Sequence, residues 1–113
     1  MNMSTLAPFF FALLIGSGGA LAADGKVVIS SPPNGAMVSQ HKNIDLNYEA
    51  FPGIDGEHLH LNVDGKRVDV IHPMKGVAHV GMLNPGRHHI CLAINTRGHV
   101  PTGVEACIDV TSE

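Results

Sequence analysis

A chain of 113 residues with a net charge of −3 has room for one domain, and its singly scattered basic residues do not form the stripe that a nucleic-acid surface needs. Tryptophan is absent and aromatics are few, which argues against a sugar-stacking or base-stacking platform. The anomaly is eight histidines, the first of them at position 41.

Residues 1–22 read as an export signal. An apolar run, Leu6 to Ile15, is followed by Ala20-Leu21-Ala22, a small-x-small cleavage pattern, although Met1 to Pro8 contains no Lys or Arg. The mature domain is then expected at 23–113, in the periplasm or secreted. No other stretch approaches the roughly 20 apolar residues of a membrane span, and no cysteine follows the apolar run to carry a lipid. Cys91 and Cys107 are the only cysteines, and an even pair in an exported chain reads as a disulfide.

In chain order, Lys26 to Ser30 is a β-branched run stopped by the turn cluster Ser31 to Gly35, with Ala36 to Val38 continuing it after a bend. Asn43 to Ala50 alternates, with Ile44, Leu46, Tyr48 and Ala50 inward. Gly56 to Lys66 puts Leu59, Leu61 and Val63 on one face of a strand and His58, His60 and Asn62 on the other. Asp64-Gly65 suits a two-residue hairpin turn into Arg67 to Ile71. Val77 to Leu83 is a strand whose inward face the pattern does not assign. Arg87 to Asn95 points His88, Ile90, Leu92 and Ile94 inward, and Val104 to Thr111 does the same with Val104, Ala106, Ile108 and Val110.

Seven or so short strands with no helical periodicity predict an all-β, two-sheet antiparallel sandwich. Setting Cys91 opposite Cys107 places His89 opposite Asp109 and both apolar sets on one side. Setting Val63 opposite Lys66 places Asn62 opposite Arg67, His60 opposite Asp69 and Leu59 opposite Val70.

Leu83-Asn84-Pro85-Gly86, leading into a strand, resembles the approach to the sixth strand of fibronectin type III and other immunoglobulin-like sandwiches. Together with His58 to Gly65, Pro85 to Leu92 and His99-Val100-Pro101, it is similar to small exported bacterial immunoglobulin-like domains of unknown function. The resemblance implies that fold and no activity. The His88-His89 pair stands where fibronectin modules carry a tyrosine. Ser31 to Ala36 is also similar to the opening of periplasmic copper-resistance proteins, but the expected mature terminus lacks their histidine. A blue-copper centre would need a free Cys with His and Met close behind, which neither cysteine has.

Two imidazoles at i and i+2 on one strand face lie about 6.5–7 Å apart, compatible with shared transition-metal binding. In an immunoglobulin-like sandwich the strand at 87–95 is the neighbour, so His89 shares the outer face. The expected metal ligands are therefore His58, His60 and His89, with Asp69 and Asp109 orienting the rings and Zn(II) or Cu(II) as the ion. The competing reading is a structural or interaction module, its partner a periplasmic protein, whose histidines face solvent and pair with Asp across strands. His88 reads as a hydrogen-bonded core residue and His99 as part of a turn, while His41, His72 and His79 show no pattern. No nucleophile elbow, His-Glu-x-x-His helix or phosphate loop is present, so no catalysis is expected.

Overall fold

A computed structural model describes residues 25–113; the expected signal segment, 1–22, lies outside them. Among the described residues the chain forms eight strands: β1 (Lys26–Ser31), β2 (Ala36–Val38), β3 (Ile44–Phe51), β4 (His58–Val63), β5 (Lys66–Ile71), β6 (Lys75–Gly81), β7 (Gly86–Asn95) and β8 (Pro101–Ser112). They make two sheets, in the orders β1-β3-β6 and β2-β8-β7-β4-β5. No helix of the described residues is long and apolar enough to cross a membrane.

The expected sandwich is present, with one refinement. After the Ser31–Gly35 turn the chain does not continue β1 in its own sheet. β2 crosses to the other sheet and pairs parallel to β8, held there by Gly35 N–H donating to the Asp109 carbonyl at 2.7 Å. Splitting the first segment between sheets closes one edge of the sandwich, and it makes the larger sheet mixed rather than wholly antiparallel.

Period-two alternation sets the core. Leu46, Tyr48 and Ala50 of β3 face Leu59 and Leu61 of β4 and Ile90, Leu92 and Ile94 of β7, all buried, and Ile108 and Val110 of β8 complete the layer. Ala78 and the half-buried Val80 form the inward face of β6. Each buried Leu or Ile contributes about 1.5–3 kcal/mol relative to exposure. The inward set at 59, 61 and 63 sends 58, 60 and 62 to the outer face of the larger sheet.

Cys91 and Cys107 are directly opposed in the β7–β8 ladder and form the disulfide, with His89 opposite Asp109 as the spacing requires. The β4–β5 hairpin follows the expected register only near its turn. Val63 pairs with Lys66 and Asn62 with Arg67, but a bulge then shifts the ladder so that Leu61 faces Asp69 and His60 faces Val70. Val68 is the extra residue, and it brings Ile71 into the core opposite Leu59. Asp64, with φ 52°, and Gly65, with φ 84°, form the positive-φ turn.

Candidate metal centre

His58 and His60 project from β4 onto the outer face, where exposed rings would be expected. They are instead buried, 1% and 8% exposed. The cause is the β7–β8 loop. Because β4 runs antiparallel to β7 with His58 opposite Asn95, the end of β7 lies beside the start of β4, and the loop leaving Asn95 folds back over both rings. Thr96 shapes it: Thr96 N–H donates to the Val100 carbonyl (2.8 Å), His99 N–H to the Thr96 carbonyl (2.9 Å) and Val100 N–H to Thr96 Oγ1 (3.2 Å). His99 is thereby fixed at φ 65°, a left-handed conformation uncommon for a residue with a side chain.

Three ring nitrogens meet as a result. His58 Nε2 lies 3.0 Å from His60 Nε2 and 3.2 Å from His99 Nδ1, and His60 Nε2 lies 3.1 Å from His99 Nδ1. On the other side of its ring, His58 Nδ1 donates to Glu57 Oε1 at 2.5 Å, so that in the neutral ring Nε2 carries the lone pair. That hydrogen bond holds the Glu57 carboxyl below its usual range, with the charges of His58, His72 and Arg97 adding to it against the opposing effect of burial. Burial pushes the His60 imidazole below its ordinary value, and His58, Arg67 and His99 nearby push the same way, which favours the neutral ring. Neutral imidazoles are the form that ligates a cation.

A metal ion bound by imidazole sits about 2.0–2.1 Å from each nitrogen. Three imidazole nitrogens 3.0–3.2 Å apart could all reach one ion at that distance. His58, His60 and His99 are therefore residues that could hold a transition-metal ion. Asn95, opposite His58 in the ladder and 1% exposed, carries Oδ1 as the one buried side-chain polar atom without a partner among the described residues.

The structure thus brings His58 and His60 together as the spacing requires, but with His99 rather than His89. In the β4–β7 ladder His60 faces Ala93, and His89 lies four residues further along β7, about 13 Å away. There it is exposed and its Nδ1 donates to Asp109 Oδ1 at 2.9 Å, beside Arg87. His89 does approach Cys91 and Cys107, but those sulfurs are joined in the disulfide and are not ligands. Asp109 therefore orients His89 and not a ring of the cluster. Asp69 orients no ring either, since the bulge moves it off His60 and it accepts the N–H of Val70 instead. Within the cluster it is Glu57 that meets a ring, accepting from His58 Nδ1.

His88 is the hydrogen-bonded, largely buried residue expected. Its Nδ1–H donates to Asp64 Oδ2 and its Nε2–H to the Asn84 carbonyl, both at 2.6 Å, and these bonds, the carbonyl's first, raise its affinity for a proton. His79 pairs with Asp45 on the other sheet. His72, exposed, lies with its ring centroid 5.5 Å from that of His58.

The sequence matches no protein-family model and is similar to no curated protein sequence. Among solved structures, the chain is similar to the fibronectin(III)-like modules of Clostridium thermocellum CbhA, at 10% identity and a TM-score of 0.64, over 77% of this chain and 95% of that one. It is also similar to a lytic polysaccharide monooxygenase of Jonesia denitrificans, at 17% identity and a TM-score of 0.52, over 73% of this chain and 60% of that one. These likenesses establish a fibronectin III-like, immunoglobulin-like sandwich and speak to fold alone.

Proposed function

We propose that this chain is an exported binding module that holds one divalent transition metal, Zn(II) or Cu(II), through His58 Nε2, His60 Nε2 and His99 Nδ1. The observation that carries the reading is the convergence of three imidazole nitrogens, 3.0–3.2 Å apart, on one point. Neutral rings packed only for stability have no reason to aim three nitrogens at one spot, since at most one N–H can lie between them. Nitrogen-only donors favour zinc or copper over the hard cations magnesium and calcium. Export is supported by the disulfide and by the signal-like residues 1–22.

Titrating the protein with Cu(II) and Zn(II), beside the His58→Ala/His60→Ala variant, tests this. Submicromolar binding that the variant loses and a His89→Ala variant keeps is the expected result. Weak binding unchanged in the His58→Ala/His60→Ala variant would reject it and leave a structural or interaction module.

A further inference from the structure

We infer that Thr96 is the positioning residue of the metal site: its hydroxyl holds His99 where the third imidazole nitrogen is delivered, and so sets the affinity. This rests on the metal reading above. His58 and His60 sit on β4, which is paired on both sides, by β7 and β5. His99 has no ladder to hold it. It belongs to residues 96–100, the loop between β7 and β8, and is exposed. Its ring nitrogen nevertheless stands 3.1–3.2 Å from those of the other two, so the loop itself must fix it.

Thr96 does this with all three of its polar groups. Its carbonyl accepts the His99 N–H, its N–H donates to the Val100 carbonyl, and Oγ1 accepts the Val100 N–H. A peptide unit is planar, so the backbone of His99 is set by two planes, one carrying its own N–H and the other the N–H of Val100. Thr96 holds both. The left-handed φ of 65° is thereby kept, and with it the direction in which the ring leaves the backbone.

Two of these bonds use backbone groups that any residue except proline supplies. The third needs a side-chain acceptor next to Cβ, which serine also has and valine lacks. The base of the loop is closed separately, by Thr102 Oγ1 donating to the Ile94 carbonyl (3.0 Å) and accepting the Val104 N–H (3.3 Å). Losing the Thr96 hydroxyl therefore loosens the tip that carries His99 and leaves the strands paired. Val100 is exposed, so the N–H released in Thr96→Val meets water and metal-free stability changes little. Binding is affected more. Fixing the backbone of one residue as the ion binds, rather than beforehand, weakens the complex about 5- to 30-fold.

Calorimetric titration with Zn(II), beside metal-free thermal melts, tests the inference. Thr96→Val should melt close to the unaltered protein yet bind about 5- to 30-fold more weakly, and Thr96→Ser should restore the affinity. In a His99→Gly background the same Thr96→Val change should weaken binding no further, because a residue acting only through His99 has nothing left to position. Parental affinity in Thr96→Val, an equal loss in the His99→Gly background, or a Thr96→Ser variant as weak as Thr96→Val would overturn the inference and leave the three-histidine site. A Thr96→Val protein melting well below the parent would overturn it too, by assigning the hydroxyl to the fold. An unaltered protein that binds no Zn(II) would overturn the metal reading and this inference together.

Discussion

Replacing His99 with glycine should separate what the loop does for the fold from what it does for the metal. At φ 65° a residue with a side chain carries a left-handed strain of about 1–2 kcal/mol that glycine does not. Glycine's larger entropy in the unfolded chain offsets about 0.5–1 kcal/mol of that gain. His99 is exposed, and its ring meets the imidazoles of His58 and His60 rather than the apolar core cluster. Metal-free His99→Gly should therefore be as stable as the unaltered protein, or up to about 1.5 kcal/mol more stable, a rise of as much as about 6–12 °C in Tm for a domain of this size. Metal affinity should move the other way. Four-ligand zinc sites are worth about 10–16 kcal/mol, or about 2.5–4 kcal/mol per ligand, so removing one imidazole should weaken binding by about 100- to 1,000-fold. At a metal concentration 100 times its Kd, the unaltered protein should gain about 2.7 kcal/mol, and the variant almost nothing. Thermal melts by circular dichroism with and without Zn(II), paired with calorimetric titration, measure both effects. A metal-free variant melting well below the parent, or one that keeps the full metal-induced shift, would refute the reasoning.

Removing the disulfide with Cys91→Ala/Cys107→Ala, which opens a loop of sequence separation 16, should cost about 3 kcal/mol. Metal affinity should be retained, and titration and denaturant melts report the two effects separately. At Gly56 any Cβ would overlap the Pro52 carbonyl oxygen and crowd Ile94 Cγ2. Gly56→Ala should therefore destabilise by about 1–3 kcal/mol and weaken metal binding by displacing Glu57 and His58, both readable by the same titration and melts. The Asp64–His88 pair predicts a pH signature. The His89 backbone N–H, followed by the His88 ring, holds the Asp64 carboxyl below its ordinary value, so its contribution is present above about pH 4 and is lost as pH falls through the depressed value. His88 is raised, so its contribution is complete below about pH 6.5 and fades as pH rises through the raised value. The pair should stabilise most between those limits. Asp64→Asn, which tolerates the positive φ, should lose this excess; an unchanged stability difference between pH 4 and 8 would contradict it.

The inward faces of β3, β4, β7 and β8 were legible because alternate apolar residues mark the face turned to the core, even where a loop also buries His58 and His60 on the outer face of β4. The Cys91–Cys107 register was legible because a disulfide across paired strands fixes every neighbouring pair, His89 with Asp109 included. Asp69 was misplaced because a bulge leaves no mark in an alternating run: Val68 is apolar and yet 52% exposed. His99 was missed for a different reason. Its loop reads as a turn, and only the antiparallel direction of β4 against β7 shows that the turn closes over His58. Counting that ladder from Asn95 would have brought His99 near and sent His89 about 13 Å away.

The most direct measurement is the position of the metal itself, by anomalous diffraction from crystals grown with one equivalent of Zn(II). The ion should lie about 2.0–2.1 Å from His58 Nε2, His60 Nε2 and His99 Nδ1. An anomalous peak at His89 and Asp109 instead, or none near His58, would contradict the assignment.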